Sequence, residues 1–367
     1  MAAPVLTTPE LNRALLARQL LLGRAELSAT EAVRRLVGLQ SQVVSPPFVG
    51  LWTRLREFRR LDLTGPIERG AVVRATMMRS TLHLVTAEDY RLFRLVLQPA
   101  LTRAYQGFNG PFIVGLNLGR LVEAARERMA SGPIGNAELR ELLAGLEPER
   151  APAALMYGVR SHLPMIQVPT GGRWGHGGVG AYALAEAGLV PPEEALPQLV
   201  RRYLAAFGPA SVADAQAWSG LAGLRGAFEA LRPELRTFRD QRGVELFDLP
   251  DAPLPAADTP APVRFVPEYD NLVIGHADRS RVLPDAHRRL VLLSAGRVRA
   301  TVLVDGFVAA AWRAERAGKT ARLRIEPFQP IDPTASAEIE AEGERLLRFL
   351  EPDATAFEVG FAPVPPP

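Results

Sequence analysis

The order of predicted elements in the N-terminal third constrains the fold of this chain more than any other feature. Apolar residues at helical spacing predict helices over residues 8–23, from Ser28 onward and over 48–58. A strand-like run over residues 72–85 with a polar centre then predicts a two-stranded hairpin, and a further helix follows it. Three helices followed by a hairpin is the order of a winged helix, a helix-turn-helix variant with a β-hairpin wing.

The same order recurs twice further along the chain. The segments 132–138 and 208–214 both begin Gly-Pro, lie 76 residues apart, and each opens a short helix behind a small-residue cap. Each is followed by a second helical stretch and then by a predicted hairpin, over residues 165–174 and 237–247. Repetition at a fixed period is typical of tandem modules, so we interpret the first 250 residues as three winged helices.

The composition changes after Pro250. Residues 251–262 form a proline-rich connector, and short β-rich runs follow it, among them 290–293 and 298–304. A charged helix is predicted over about residues 335–350, ahead of a final strand. These elements predict a small β-rich, barrel-like domain at the C-terminal end.

The predicted fold class is therefore α+β, with three tandem winged-helix (helix-turn-helix) modules and a C-terminal β-rich, barrel-like domain. The predicted boundaries are residues 1–128 for the first module, 129–196 for the second, 197–250 for the third and 263–367 for the C-terminal domain. With 367 residues, of which 47% are hydrophobic, the chain is long enough to bury several cores.

Several classes of chemistry lack their usual residues in this sequence. The chain has no cysteine and its five histidines show no metal-site spacing, so we expect no disulfide, no bound metal and no other cofactor. It has no G-x-S-x-G motif, and its one lysine, Lys319, is not part of a P-loop. No apolar run approaches about 20 residues and no signal-peptide pattern opens the chain, so we expect a cytoplasmic protein.

Residues 175–180 match the pattern G-x-G-x-x-G, which can bind dinucleotides. That function needs a surrounding βαβ unit, whereas here the pattern follows a predicted hairpin in a helical module. We therefore interpret the segment as a flexible wing tip.

Arginine supplies almost all of the positive charge. Of the 43 basic residues 42 are arginines, and the formal net charge is +3. A GC-rich genome favours arginine codons, and arginine also suits bidentate contacts with phosphate groups. Composition alone leaves both explanations open.

Arginines also recur at the predicted wings and in one C-terminal loop. Charged side chains at such places are often only solvated, but an arginine on each of three wings favours a shared phosphate-binding surface. The candidate DNA-binding residues are Arg79 in the first wing, Arg173 and Trp174 in the second, Arg242 in the third, and His276, Arg279 and Arg281 in the loop.

Gln40 and Gln42 place two neutral amides close together within the segment 38–42. Two amides can hold and polarise a water molecule, but they cannot transfer protons as a carboxylate or imidazole does. Their side chains diverge if the segment is helical and share one side if it is extended, and Pro46 and Pro47 favour an extended chain. The alternative interpretation of Gln40 is a polar helix C-terminus that bonds the last free carbonyl groups.

Several segments in order resemble the AlkZ-like branch of the YcaQ-type winged-helix DNA glycosylases. The likeness spans nearly the whole chain, and the ordered set is more specific than any single motif. The matching segments are 36–42 with Leu51 and Trp52 downstream, 78–86, Gly208 and Pro209 with Trp218, 265–281, and 302–312.

This resemblance implies an enzyme that wraps its winged helices and β-rich domain around duplex DNA. The implied activity is hydrolysis of the N-glycosidic bond of N7-alkylguanine, including the unhooking of interstrand crosslinks left by alkylating natural products. The catalytic Gln-aliphatic-Gln element of the family maps onto Gln40 and Gln42, with Ser41 at the aliphatic position. N7-alkylated guanine leaves as a neutral base without an acid, so two amides need only hold water and stabilise the sugar cation.

The expected partner is duplex DNA with alkylated or crosslinked guanine, bound at the nucleoid by a monomer without an obligate protein partner. Glycosylases that also nick the strand commonly use an amine, and Lys319 is predicted in a turn of the C-terminal domain, so we expect a monofunctional enzyme. The alternative function is a tandem winged-helix DNA-binding regulator without catalysis. It explains the wings but leaves the C-terminal domain, Gln40 and Gln42 without a role.

Overall fold

Helices and strands are both present throughout the structure, a computed structural model that describes residues 3–177 and 180–364. The α+β class predicted from the sequence is confirmed. The elements up to residue 113 are β1 (Val5–Leu6), α1 (Thr8–Arg18), α2 (Ala29–Arg35), β2 (Leu39–Gln40), α3 (Pro46–Trp52), α4 (Leu61–Glu68), β3 (Val72–Thr76), β4 (Leu82–Thr86), α5 (Ala87–Phe93) and α6 (Gln98–Ile113).

The elements of the middle of the chain are α7 (Leu118–Ala130), β5 (Ile134–Gly135), α8 (Asn136–Leu146), α9 (Pro152–His162), β6 (Met165–Val168), β7 (Ala181–Leu184), α10 (Pro192–Phe207), α11 (Val212–Ser219), α12 (Arg225–Leu231), β8 (Arg236–Asp240) and β9 (Glu245–Asp248). Those of the C-terminal part are β10 (Arg264–Val266), α13 (Asn271–Ile274), α14 (Arg288–Val291), β11 (Thr301–Val304), β12 (Phe307–Ala317), β13 (Thr320–Pro327), α15 (Pro333–Leu350) and β14 (Ala356–Phe361).

Side-chain caps start the helices that precede the candidate site. Thr7 and Glu10 cap α1 reciprocally, each side chain accepting a bond from the backbone amide of the other. Ser28, where a helix was predicted to begin, caps α2 by accepting a hydrogen bond from the amide of Glu31. The Glu31 carboxylate does not return that bond, because it binds the guanidinium of Arg34.

A six-stranded sheet joins the first and second segments of the chain. The first, second and third segments are residues 1–128, 129–196 and 197–250, and the C-terminal part is residues 263–367. Its strand order is β2-β4-β3-β6-β7-β5, and all of its pairings are antiparallel. The hairpin predicted over residues 72–85 forms as β3 and β4, with a tight turn at Met78–Ser80. Strands β3 and β6 meet at one residue pair, Arg74 opposite Gln167.

The second predicted hairpin has a longer connection than expected. Strand β6 begins at Met165 as predicted, but its partner is β7 and not the segment that ends at Trp174. The G-x-G-x-x-G segment lies in this connection. Its residues Gly178 and Val179 fall outside the described residues, so the flexible wing tip stays a prediction.

The third predicted hairpin forms as β8 and β9, on either side of residues 241–243. Strand β1 adds to β8 in parallel, so the N-terminal strand extends this hairpin into a three-stranded sheet. The largest hydrophobic cluster of the described residues connects the first and third segments with the C-terminal part, through side chains such as Phe93, Trp218 and Leu303. The second segment packs around a cluster of its own.

The C-terminal part contains an open five-stranded sheet and not the barrel-like domain that was expected. The strand order is β10-β11-β12-β13-β14, and within the described ranges the two edge strands do not pair with each other. Helix α15 packs Ile339, Leu346 and Leu347 into one cluster with Phe265 and Leu323 of the sheet. Because the helix removes this face from water, the sheet does not need to close on itself.

One predicted strand of this part is wrong. Residues 290–293 were expected to form a strand, but Leu290 lies in helix α14. This helix directly follows a tight turn at Asp285–His287, which begins after Pro284. No helix in the part of the chain that the structure describes has the length and apolar character needed to cross a membrane.

Candidate active site

The chain leaves helix α2 through a turn with two left-handed residues and then enters strand β2, which contains Gln40. The φ angle is 53° at Val37 and 91° at Gly38. A Cβ atom at Gly38 would lie 2.7 Å from Cγ1 of Val85, so a larger residue would collide with β4. Gln40 pairs opposite His83 across the ladder. The predicted extended conformation is confirmed for Leu39 and Gln40, whereas Gln42 lies in a bend after the strand. The interpretation of Gln40 as a helix C-terminus is wrong.

Gln40 and Gln42 line the same cleft, which has a volume of about 430 Å³. Among the described residues that line it, there is no Asp, Glu or His. The remaining lining side chains with hydroxyl, guanidinium or aromatic groups are Thr76, Arg79, Ser80, Thr81, Phe108, Tyr157, Arg160 and Tyr269. A cleft with this lining contains no group that takes a proton from water at neutral pH.

The amide of Gln40 is oriented by Arg79. The Nη2 atom of Arg79 donates to Oε1 of Gln40 over 2.9 Å. Because a guanidinium can only donate, the carbonyl oxygen of Gln40 must face it. The amide protons of Gln40 are then the group left to bind a ligand in the cleft.

Arg79 has further protein partners at the same place. Its Nη1 atom donates to the carbonyl oxygen of Trp218, and Nη2 also donates to Oδ1 of Asn271 over 2.9 Å. Enclosure of the guanidinium, with a smaller effect of Arg279, lowers the pKa of Arg79 to about 10, so the side chain stays charged at neutral pH. The structure corrects the expected position of Arg79. Its guanidinium is half-buried at the cleft, where it supports Gln40, and is not at an open wing tip. Its contact with DNA stays a prediction.

A buried ion pair holds the loop that carries Asn271. The guanidinium of Arg54 donates to both carboxylate oxygens of Asp270, each over 2.8 Å, and both side chains are buried. Asn271 follows directly and donates from Nδ2 to the carbonyl oxygen of Gly38 over 3.2 Å. Neither Asp270 nor Asn271 was assigned a role from the sequence, because the pattern does not show that this loop meets the turn after α2.

His83 lies behind Gln40 as a neutral group. Burial, reinforced by the charge of Arg79, lowers the pKa of His83 to about 3. Its Nδ1 atom lies 3.1 Å from the carbonyl oxygen of Thr81, which can only accept, so Nδ1 carries the proton. His83 therefore supports the strand and does not serve as an acid or base at neutral pH.

Gln42 is more exposed and more weakly held than Gln40. Its Oε1 atom accepts one bond, from the backbone amide of Leu82, over 3.3 Å. A carbonyl oxygen has two lone pairs, so this one can accept a second bond from a water molecule in the cleft.

Ser41, at the position between the two glutamines, is buried in a polar network. Its carbonyl oxygen accepts from Nε and Nη2 of Arg74 over 3.0 and 2.6 Å, and its Oγ atom lies 3.2 Å from the same Nε. The guanidinium of Arg74 also donates to Oε1 of Gln167 on β6. A polar residue is therefore accommodated here by hydrogen bonds in place of apolar packing.

Arg173 and Trp174 lie between the first segment and the C-terminal part. Arg173 forms an ion pair with Glu351, 3.3 Å apart, and its guanidinium lies over the ring of Trp174. The ring of Trp174 meets Phe48 edge-on, with 4.9 Å between centroids, and Arg60 lies on it. Trp174 thus has a packing role, and its expected contact with DNA stays a prediction.

Two of the candidate DNA-binding residues are buried. His276 is 1% exposed and its Nε2 atom lies 2.9 Å from the carbonyl oxygen of Phe207; burial lowers its pKa to about 3. Arg281 is 4% exposed, donates to the carbonyl oxygen of Pro209 over 2.8 Å and lies 3.8 Å from Asp214. Side chains enclosed in this way cannot reach a phosphate group, so both expectations are corrected to a structural role.

Arg242 and Arg279 are accessible to solvent, as is Arg173. The side chain of Arg242 is 62% exposed, but it forms ion pairs with Asp240 and Asp278. Arg279 is half-buried, and its pKa is lowered by burial and by the neighbouring charge of Arg288.

A family model, a relative and a solved structure match this chain over most of its length. Residues 33–349 match the family described as DNA glycosylase AlkZ-like. An interstrand DNA cross-link repair glycosylase of Streptomyces sahachiroi is 26% identical over 360 residues, which cover 90% of this chain and 93% of the relative. The solved structure of Streptomyces sahachiroi DNA glycosylase AlkZ superposes with a TM-score of 0.81 at 20% identity, over 98% of this chain and 100% of that chain.

Proposed function

The chain belongs to the AlkZ-like DNA glycosylase family, and we propose that Gln40 and Gln42 carry out its hydrolysis reaction in the cleft that they share. It is a DNA glycosylase, an enzyme that breaks the bond between a base and its sugar. The proposed substrate is N7-alkylguanine in duplex DNA, including interstrand crosslinks. The name of the Streptomyces relative, which refers to cross-link repair, supports the second part of this proposal.

The lining of the cleft is the observation that carries the proposal. Hydrolysis of an ordinary nucleoside needs an acid for the leaving base or a base for the water, and no carboxyl or imidazole group that could serve in this way at neutral pH lines the described cleft. Alkylation at N7 places a positive charge on guanine, so the base can leave with the electrons of the C1′–N9 bond and become neutral. A cleft without carboxyl or imidazole groups therefore suits a cationic base.

The two amides then have different tasks. The water oxygen bonds to C1′ as the bond to N9 breaks, and the surplus proton passes to solvent. Gln42 has a free lone pair on Oε1 for a hydrogen bond from this water, and Gln40 has free amide protons. Fixed dipoles at this position lower the barrier because they need no reorganisation during the reaction.

A group of arginines near the cleft supports the proposed binding of duplex DNA. Arg103, Arg160, Arg279 and Arg288 pair with no carboxylate among the described residues; Arg103 and Arg160 donate only to backbone carbonyl groups. Many arginines elsewhere, such as Arg322 with Glu358, form ion pairs. Cations without an internal partner are free to neutralise phosphate groups.

We further propose that the first 250 residues act as three tandem winged helices, with the boundaries predicted from the sequence. Together with the C-terminal sheet they would surround the DNA duplex. The mixed fold and the three antiparallel hairpins support this organisation. A monomer that works on DNA in the cytoplasmic nucleoid agrees with the proposed substrate.

The decisive experiment is excision from defined DNA. A labelled duplex with one N7-methylguanine, and a second duplex with a defined interstrand crosslink, are incubated with the protein and then treated with alkali to cut abasic sites. We expect cleavage at the lesion and separation of the crosslinked strands. Binding to undamaged duplex without any base release would support a regulator in place of the enzyme.

The monofunctional character is tested with borohydride. Lys319 lies in the turn between β12 and β13, and it is not among the residues that line the cleft. With no lysine among the described residues that line the cleft, we expect that no Schiff base forms and that the abasic strand stays intact. Borohydride should therefore trap no protein–DNA adduct, and Lys319→Ala should excise at the wild-type rate. An adduct that disappears in this variant would require a different active site.

A further inference from the structure

Phe108 exposes 75% of its surface at the rim of the cleft that contains Gln40 and Gln42. It lies on α6, which buries Leu101 and Tyr105 in the preceding turns, so the backbone below it is anchored. Phe112 and Val114 are 55% and 73% exposed further along the same segment. Of these three exposed side chains only Phe108 lines the cleft, and an exposed aromatic ring beside a cleft is typical of a contact surface.

The ring of Phe108 packs against Tyr157 and is otherwise largely exposed. Its centroid lies 6.3 Å from that of Tyr157, with the planes tilted by 39°. Tyr157 in turn meets Tyr105 edge-on, 5.9 Å between centroids, and its hydroxyl donates to Oγ of Ser80 over 3.0 Å. A held aromatic pair therefore borders the cleft, and the outer member offers a free face.

The surroundings of Phe108 suit DNA better than an apolar protein partner. Arg103 lies on the same helix and Arg160 on α9, and neither pairs with a carboxylate in residues 3–177 or 180–364. Proteins that open a duplex commonly combine an apolar wedge with arginines that hold the adjacent phosphates. The position at the cleft of Gln40 and Gln42 connects this surface with the proposed reaction.

We propose that Phe108 enters the base stack of duplex DNA beside the damaged guanine and stacks on an adjacent base. The proposal rests on the proposed function, because duplex DNA is the occupant. Any base has an aromatic face, so the contact holds the duplex open without reading its sequence. The ring replaces part of the stacking that the bases lose, which keeps C1′ of the lesion near the two amides.

The test uses a duplex that binds but cannot react. A tetrahydrofuran abasic analogue takes the place of the lesion, and 2-aminopurine stands next to it as a fluorescent base. Binding of wild-type protein should raise the 2-aminopurine fluorescence, because the base loses its stacking on neighbouring bases. Phe108→Ala should abolish this rise in fluorescence. It should also weaken binding, so that the dissociation constant increases by about tenfold or more.

Two further variants separate stacking from general apolar contact. Phe112→Ala removes an exposed ring one turn away that does not line the cleft, and it should behave as wild type. Phe108→Trp retains an aromatic face and should keep wild-type affinity. Wild-type fluorescence and affinity in Phe108→Ala, equal losses in Phe112→Ala, or a Phe108→Trp variant as weak as Phe108→Ala would each overturn the proposal.

Failure of this inference and failure of the proposed function give different results. Excision of N7-methylguanine by the wild-type protein tests the function, whereas the abasic-analogue duplex reports binding alone. A protein that excises normally with Phe108→Ala and shows no change in fluorescence would refute only the stacking contact. A wild-type protein that excises nothing would refute the function itself.

Discussion

At the scale of single residues, Gln40 and Gln42 are held differently, but their removal should have the same kinetic effect. Gln40→Ala and Gln42→Ala should each lower the single-turnover rate of excision by about 100-fold or more, because each takes away a dipole fixed at the reacting sugar. Gln40→Ala also leaves Arg79 without one acceptor, at a cost of about 1 kcal/mol in the free energy of unfolding. Gln198→Ala, an exposed amide on α10, is the control. Wild-type excision by both cleft variants would contradict the assignment.

Arg79 and Asn271 form a second prediction at this scale, since they act on the reaction through Gln40. Arg79→Lys keeps the charge but cannot reach Gln40, Trp218 and Asn271 together, so excision should slow by about tenfold or more at unchanged DNA affinity. Asn271→Ala should slow it less. In a double-mutant cycle the losses of excision rate from the two substitutions should not add. Both substitutions remove the support of the same side chain, the amide of Gln40. Additive losses would show that Arg79 and Asn271 act independently.

The ionisable groups next to the glutamines predict how the rate depends on pH. His83 has a pKa of about 3 and is neutral above it, and Arg79 has a pKa of about 10 and is charged below it. Neither changes state between about pH 6 and pH 9, so the single-turnover rate should be flat there. A bell-shaped profile centred near neutrality would reveal a general acid or base that the described cleft does not contain.

At the scale of elements, the turn after α2 decides where both amides lie. Gly38→Ala should lower the free energy of unfolding by about 2 kcal/mol or more, because φ is 91° and the new methyl group meets Val85 at 2.7 Å. Gly70→Ala is the matched control. Gly70 also has a positive φ, 70°, but nothing lies within 4 Å of its Cβ position, so only the backbone cost of about 1 kcal/mol applies. Equal melting temperatures for the two variants would contradict the close approach.

Local pattern was sufficient to predict part of the region that bears the two glutamines. The start of α2 behind Ser28 and the period of the 72–85 run each depend on a few residues, and each is found in the structure. The extended chain expected from the two prolines after Gln42 is wrong, because Ser45 has helical dihedral angles and Pro46 and Pro47 begin α3. Pairing with β4 is what extends Gln40. The contacts of Arg79 were not predictable in this way. Its partners Trp218 and Asn271 are distant in sequence, and an arginine at a hairpin turn has the same local pattern whether it faces solvent or the interior.

The C-terminal sheet shows the same limit. Most of its strands were predicted, because alternating apolar residues fix each strand separately. Whether five strands close into a barrel depends on what covers their inner face, and that is decided by α15 from further along the chain. The burial of His276 and Arg281 likewise depends on Phe207, Pro209 and Asp214, which belong to another segment.

At the scale of the whole molecule, the distribution of unpaired arginines predicts how salt affects DNA binding. Arg279→Ala should weaken binding to damaged and undamaged duplex alike, and should reduce the slope of log affinity against log salt by about 1. Arg322→Ala is the control, because this exposed arginine pairs with Glu358 on the C-terminal sheet. An Arg279 variant with the affinity and slope of the wild type would show that its guanidinium does not contact phosphate.

The absence of acidic and imidazole side chains from the described cleft affects how safely such an enzyme can act on a genome of mostly undamaged DNA. Undamaged guanine vastly outnumbers its alkylated form, and an enzyme able to protonate a leaving base would endanger every purine that it touched. A cleft without a carboxylate or an imidazole is poorly suited to activate a neutral guanine. Under the proposed function, fidelity would come from the charge that the lesion itself carries, and bulky crosslinks would be admitted without a route to the mutation of healthy DNA.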